Sequence, residues 1–247
     1  MTPSDHETAA ALATEAGDLL LRVRAREFPD AAARKAAGDA EAHRFLVDRL
    51  AAVRPDDAVL SEEGADDRVR LTADRVWIVD PLDGTREFAE LDRADWAVHV
   101  ALWERGELVA GAVALPAEAT TLGTGGVDAA PSRSDGPMRL AVSRSRPPEL
   151  VTALAQRLDA ELLPMGSAGV KAMSVVRGVT DAYVHGGGQY EWDSAAPVAV
   201  ARAAGLHTSR LDGSPLRYNQ PSPYLPDLLV CRPELAGRLL DAIGALA

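Results

Sequence analysis

Acidic side chains stand at the ends of several apolar segments of this 247-residue chain. The apolar run Val76–Val79 leads directly into Asp80-Pro81-Leu82-Asp83-Gly84-Thr85, and Glu62-Glu63 follows another short apolar run. Asp193 begins an apolar helical segment, and Asp39 opens a second one. Each acid alone could cap a helix or lie in solvent. Because the sites of α/β proteins gather where strands and helices end, the repeated placement favours one acidic site.

The ligand types in these segments indicate which cation such a site would hold. Carboxylate oxygens suit a hard cation such as Mg²⁺. The five histidines, at positions 6, 43, 99, 185 and 207, show no zinc-binding spacing, and we interpret each as a core or surface residue. The sequence therefore predicts a magnesium site.

The residues between and behind the two aspartates add a feature that suits phosphate. Pro81 cannot donate a hydrogen bond within a sheet and keeps the backbone extended, so the Leu82 carbonyl can turn toward the same point as Asp80 and Asp83. Gly84 allows close approach of an anion, and Thr85 opens a helix whose free N–H groups can bind phosphate. A cation beside a helix N-terminus predicts a phosphate site.

The elements that must position these residues follow from hydrophobic periodicity. The first half predicts helices over 7–25 and 39–53, strands at 58–60 and 76–79, and a hairpin of 96–103 with 108–115. Residues 117–137 are rich in small and turn-forming residues, so we place a lobe boundary near Gly136. Beyond it, strands and helices alternate, which favours an α/β lobe. Strands are predicted at 140–142, 162–163, 181–184 and 228–231, and helices at 148–158, 168–177, 194–204 and from 234.

Composition limits the partners and the compartment. The formal net charge of −11 argues against binding to nucleic-acid polymers or anionic membranes, since both attract positive surfaces. Cys231 is the only cysteine and lies in an apolar run, so no internal disulfide can form and a reducing compartment is expected. The first residues lack a basic signal-peptide segment, and no apolar run approaches the ~20 residues of a membrane span. We expect a cytoplasmic protein, as a monomer or homodimer.

The combined motifs resemble those of the inositol monophosphatase superfamily of Mg²⁺-dependent, lithium-sensitive phosphatases. That family carries a Glu-Glu pair, then D-P-[ILV]-D-G-[ST], then a distant Trp-Asp. Here these are Glu62-Glu63, Asp80–Thr85 and Trp192-Asp193, with Gly166–Gly169 matching a further family block. The resemblance implies a layered α/β/α/β/α sandwich, with a mainly antiparallel sheet in residues 1–136 and a mixed sheet in residues 137–247.

Details within the superfamily resemble the CysQ-type 3′(2′),5′-bisphosphate nucleotidases, which act in sulfur assimilation on 3′-phosphoadenosine 5′-phosphate (PAP) and its sulfated relative. The resemblance implies that two or three Mg²⁺ ions activate water for attack on a phosphate monoester. It assigns catalytic roles to Asp39, Glu62 and Thr85, with phosphate held by the N–H groups of Gly84 and Thr85. The metal ligands it implies are Glu62, Asp80, the Leu82 carbonyl, Asp83 and Asp193.

Four basic residues lie on the blocks that contact substrate in this family: Arg144, Arg146, Lys171 and His185. Each could instead be an ordinary loop or helix charge. His185 stands where inositol phosphatases carry a glutamate, and it precedes Gly186-Gly187-Gly188, which leaves room for a nucleoside. The segment before Asp39 departs from the family pattern.

Other functions with similar motifs stay open to different degrees. Haloacid dehalogenase-type phosphatases need D-x-D with a nucleophilic aspartate, whereas the spacing here is D-x-x-D. Inositol monophosphatase or fructose-1,6-bisphosphatase activity would use the same ligands. A noncatalytic metal-dependent nucleotide sensor would not need the water-activating threonine at position 85.

Overall fold

Three layers of helices enclose two five-stranded sheets in the computed structural model, which describes residues 3–132 and 135–246. The layered α/β/α/β/α sandwich expected from the sequence is thereby confirmed. Within the described residues, no helix is both long and apolar enough to cross a membrane. The helices are α1 Asp5–Arg24, α2 Ala31–Val53, α3 Thr85–Ala89, α4 Glu149–Leu158, α5 Ala168–Val176, α6 Glu191–Ala203 and α7 Ala236–Gly244. The strands are β1 Ala58–Ser61, β2 Arg75–Asp83, β3 Ala97–Glu104, β4 Glu107–Leu115, β5 Thr120–Gly123, β6 Arg139–Ser143, β7 Glu161–Met165, β8 Ala182–Tyr190, β9 His207–Ser209 and β10 Tyr224–Cys231.

The first sheet has the strand order β1-β2-β3-β4-β5. Only the β1–β2 pair is parallel, and the other neighbours are antiparallel. The outer face of this sheet packs against α1 and α2. Alternate residues of β2 point to opposite faces of the sheet. Trp77 and Val79 enter the outer core with Leu12 and Leu46, whereas Ile78 faces the middle of the molecule.

The second sheet has the order β7-β6-β8-β10-β9 and is mixed, as expected. Strand β6 is parallel to both β7 and β8, whereas β10 is antiparallel to β8 and β9. Helices α4 and α7 cover its outer face, with Val151, Leu154 and Leu239 in that core.

Helices α5 and α6 form the middle layer between the two sheets. Its core joins residues from both halves of the chain, with Ile78 and Val113 of the first sheet packed in one cluster with Met173, Val198 and Val230. The lobes 1–136 and 137–247 thus share this core, and their division into two domains stays a prediction.

Several element bounds differ from those expected. Helix α2 begins at Ala31 and not at Asp39, because the Asp30 carboxylate accepts a hydrogen bond from the Ala33 N–H (2.8 Å) and caps the helix earlier. Strand β8 continues through its three glycines to Tyr190, where β10 pairs with it. The short edge strands β5 and β9 were not predicted.

Candidate active site

The site begins where β2 loses its regular pairing with β3. Asp80 pairs with His99, but the next partners in register are Asp83 and Ala97, so the strand is irregular around Pro81. Asp80 has the same parity as Ile78 and faces the middle layer, whereas the Leu82 side chain turns into the outer core. The irregularity therefore brings Asp80 and Asp83, which are 1% and 8% exposed, to the same side of the sheet.

The start of α5 holds the Asp83 carboxylate. The Ser167 hydroxyl donates to it, as do the backbone N–H groups of Ala168 (3.1 Å) and Gly169 (2.7 Å). Burial alone would raise the pKa of Asp83. The charge of the neighbouring His99, its hydrogen bond and these donors outweigh burial, so the pKa lies well below its usual range.

His99 is a functional candidate that the sequence does not reveal, because its spacing from the other histidines matches no metal site. It is fully buried in β3, and its Nδ1 donates to the Trp192 carbonyl at 3.1 Å. Its Nε2 lies 3.2 Å from Asp83 Oδ2. Burial lowers the pKa of His99, but the Asp83 carboxylate more than compensates and raises it. One ligand atom from each of Asp80, Asp83 and His99 lies within 4.8 Å of the others, so this group could hold a metal ion when His99 Nε2 is deprotonated.

Three further acids, Glu62, Asp193 and Asp39, lie near Asp80 and Asp83. Glu62 follows β1, and Asp193 lies in the first turn of α6, where its Oδ2 accepts from the Tyr190 N–H at 2.6 Å. Loss of water around them, followed by repulsion from neighbouring carboxylates, raises the pKa of Glu62 and of Asp193 to about 7. Burial and Glu63 raise the pKa of Asp39 to about 6.

The pKa of Asp80 is also raised, for the same reasons. Burial, together with the charges of Asp83, Glu62 and Asp193, raises its pKa well above the usual range. A cluster of acids that repel one another so strongly fits a divalent cation, whose charge would let all of them ionise. The oxygen-rich donor set suits a hard cation, so the residues present fit the predicted metal.

Gly84 and Thr85 lie next to the acids, at the start of α3. Gly84 adopts φ +85°, a left-handed conformation that favours glycine, and an added Cβ would lie 3.1 Å from the Ser167 Cβ. Thr85 is half-buried and begins the five-residue α3. Within the described part of the chain no hydrogen bond joins Thr85 to Asp39, so a proton relay between them stays a prediction.

Two of the four basic candidates, Lys171 and His185, are partly or fully buried. Lys171 is 7% exposed, and its Nζ donates to the carbonyls of Gly166 (3.1 Å) and Ser167 (2.7 Å). Burial lowers its pKa, although nearby acids such as Asp83 partly offset this. His185 is half-buried, with its two ring nitrogens at the Tyr183 hydroxyl (3.1 Å) and the Gly188 carbonyl (3.0 Å).

The two arginines have different surroundings. The Arg144 guanidinium donates to Glu87 at 2.8 Å and to Glu90 at 2.7 Å, so its charge is already paired. Arg146 is exposed, and among the described residues its side chain makes no ion pair. A role in substrate binding stays a prediction for both.

Comparisons with known proteins show to which family the chain belongs. Residues 4–244 match the inositol monophosphatase family. A Mycobacterium bovis protein named 3′-phosphoadenosine 5′-phosphate phosphatase is 55% identical over 239 residues, covering 93% of this chain and 90% of that protein. The 3′(2′),5′-bisphosphate nucleotidase CysQ of Escherichia coli is 33% identical, covering 87% and 94%. The solved structure of CysQ from Bacteroides thetaiotaomicron has a TM-score of 0.75 at 27% identity, covering 91% and 96%. The chain belongs to the inositol monophosphatase family.

Proposed function

We propose that this protein is a Mg²⁺-dependent phosphatase that removes the 3′-phosphate of PAP, giving AMP and inorganic phosphate. The observation that carries the proposal is the buried pair Asp80 and Asp83, turned to one side of β2 and surrounded by further acids. The substrate follows from the 55% identity to a protein named as a PAP phosphatase. The sulfated relative of PAP is expected to be a second substrate, and a cytoplasmic location stays our expectation.

The acids would hold two or three cations. Glu62, Asp80, Asp83 and Asp193 offer carboxylate oxygens, and the Leu82 carbonyl would add a main-chain oxygen from the irregular part of β2. When bound, Mg²⁺ supplies charge that lowers the pKa of the attacking water and neutralises the phosphoryl group.

The remaining site residues would act on the water and the phosphate. The Thr85 hydroxyl orients the attacking water and takes up its proton, with Asp39 as the next acceptor. The N–H groups of Gly84 and Thr85 donate to the non-bridging phosphate oxygens, which suits the start of a helix. Asp193, in the first turn of α6, would help to hold the cation that faces the leaving 3′-oxygen.

Basic residues would bind the rest of the nucleotide. Lys171 brings a buried positive charge close to the acids and contributes to phosphate binding through the field at the site. His185, whose Nε2 lies 3.0 Å from the Gly188 carbonyl, would contact the nucleoside. The exposed Arg146 is a better candidate for the 5′-phosphate than Arg144, whose guanidinium is held by two glutamates.

The test is Mg²⁺-dependent phosphate release from PAP by the wild type and by Asp80→Asn. The variant keeps the size of the side chain but loses its charge, and kcat should fall by about 10³-fold, as expected when electrostatic stabilisation is removed. Asp159→Asn is the matched control, since Asp159 is exposed and ends α4 in a left-handed conformation that asparagine also adopts. Near-normal turnover by Asp80→Asn would refute the mechanism.

A substrate panel separates the alternatives. We expect kcat/KM to be highest for PAP and lower for inositol 1-phosphate and fructose 1,6-bisphosphate. Added Li⁺ should reduce the kcat/KM for PAP. A higher value for inositol 1-phosphate would reassign the activity within the family. Binding of PAP without phosphate release would indicate the nucleotide sensor.

A further inference from the structure

Three aromatic side chains form a corner beside the acidic cluster that the proposed chemistry does not use. The rings of Tyr190 and Trp192 are stacked, with centroids 4.8 Å apart and planes within 7°. Tyr224 meets Tyr190 nearly at a right angle, with centroids 6.0 Å apart and an angle of 82°. We call these three residues the aromatic corner. Tyr190 is 45% exposed and Tyr224 is 52% exposed, so each presents much of its ring to solvent.

Strands β8 and β10 position Tyr190 and Tyr224 of the aromatic corner. Tyr190 of β8 and Tyr224 of β10 are direct partners in the antiparallel ladder, which places their side chains on the same face. Gly188 has φ +85°, and an added Cβ there would lie 2.2 Å from the Tyr224 hydroxyl oxygen. The glycine therefore makes room for Tyr224.

The aromatic corner is joined directly to the metal-binding acids through its backbone. The Tyr190 N–H donates to the Asp193 carboxylate at 2.6 Å, and the Trp192 carbonyl accepts from His99 at 3.1 Å. The aromatic corner is thus anchored by a backbone hydrogen bond to Asp193, the acid expected beside the leaving oxygen. In a nucleoside 3′-phosphate only the ribose separates the 3′-oxygen from the base.

We propose that the aromatic corner is the subsite for the purine base, with Tyr190 as the stacking surface, Trp192 as its support and Tyr224 at its border. This inference rests on the proposed function, whose substrate carries a base. An exposed ring offers a flat π face, and base–aromatic stacking is a large and sequence-tolerant source of affinity. Neutral rings do not attract phosphate, and an inositol or sugar phosphate has no flat face to stack. The corner therefore selects nucleotides over other phosphate monoesters.

The experiment compares Tyr190→Phe, Tyr190→Leu and Tyr190→Ala with the wild type by calorimetric titration with AMP and with inorganic phosphate, both in Mg²⁺. AMP carries the base, and phosphate does not. We expect the Kd for AMP to rise by at least about fivefold in the leucine and alanine variants, the loss expected when one stacking contact is removed. Tyr190→Phe keeps the ring and should bind AMP like the wild type. The Kd for phosphate should stay within about twofold throughout.

Kinetics with PAP complete the test. The leucine and alanine variants should show a raised KM, with kcat less affected because Asp193 keeps its backbone donor. Equal weakening of AMP and phosphate binding would show that Tyr190 only supports Asp193, and unchanged AMP binding would place the base elsewhere. Either result overturns the subsite. Failure of the proposed function is seen separately, as absence of PAP turnover by the wild type.

Discussion

Replacing Gly169 by alanine tests how tightly α5, His99 and Asp83 fit together. A Cβ at Gly169 would lie 2.1 Å from His99 Nε2. Since ordinary contacts begin near 3.4 Å, the ring would have to retreat by the difference, about 1.3 Å. His99 is fully buried and fixed by the Trp192 carbonyl and Asp83, so no free space receives it.

The expected cost follows from opposing contributions. Overpacking a close-packed site costs about 1–3 kcal/mol. A lost His99–Trp192 hydrogen bond adds about 1 kcal/mol. Alanine returns about 1 kcal/mol in helix propensity. The free energy of unfolding should therefore fall by about 1–3 kcal/mol. Displacement of Asp83 should also raise the Mg²⁺ concentration needed for half-maximal activity.

Gly237→Ala is the matched control, because Gly237 lies in α7 and a Cβ there meets nothing within 4 Å. Its free energy of unfolding should rise by about 0.5–1 kcal/mol. Both variants are compared by urea unfolding and by Mg²⁺ activation curves. If Gly169→Ala matched the stability of Gly237→Ala and kept the wild-type Mg²⁺ requirement, the close contact around His99 would be wrong.

Three other predictions use pKa values and ion pairs of the structure. Because the pKa values of Glu62 and Asp193 are raised to about 7, these carboxyls must lose protons when Mg²⁺ binds. The affinity for Mg²⁺ should therefore increase from about pH 6 to 8 and then level off, and calorimetry should detect the released protons. A pH-independent affinity would contradict these pKa shifts. Arg144→Ala should lower Tm more than Arg146→Ala, because the loss of Arg144 leaves the buried Glu87 unpaired. The KM for PAP should change little in Arg144→Ala, and a large increase would instead make Arg144 a substrate contact. Burial, with a smaller contribution from Glu234, raises the pKa of Cys231 to about 12. A thiol reagent at pH 8 should therefore label Cys231 only after unfolding, and rapid labelling of the native protein would contradict this.

The layered fold was expected from the family resemblance, whereas the strand and turn from Val76 to Thr85 could be predicted from their local pattern. An apolar run that ends in Asp-Pro-Leu-Asp-Gly-Thr determines its strand and its exit within ten residues. The early start of α2 could also have been read locally, since Asp30 is a good N-cap residue before an alanine-rich run.

His99 could not be recognised in the same way. Its neighbours in β3 are apolar, and its role depends on the residue across the strand pair and on α5 packed above it. The register of the predicted hairpin and of β2 would have placed it opposite Asp80, but register is set by tertiary pairing that a single sequence does not specify. The pairing of Arg144 with Glu87 and Glu90 was hidden for the same reason, since more than fifty residues separate the partners.

The hydrogen bonds to Asp83 have a consequence for folding cooperativity. The carboxylate belongs to a strand of the first half, whereas its donors, Ser167, Ala168 and Gly169, belong to the second half. A fragment ending near Gly136 would lack these donors and expose its side of the shared middle core. Cation binding should therefore stabilise the whole chain against unfolding in one transition, and cleavage between the halves should abolish the metal site together with the fold.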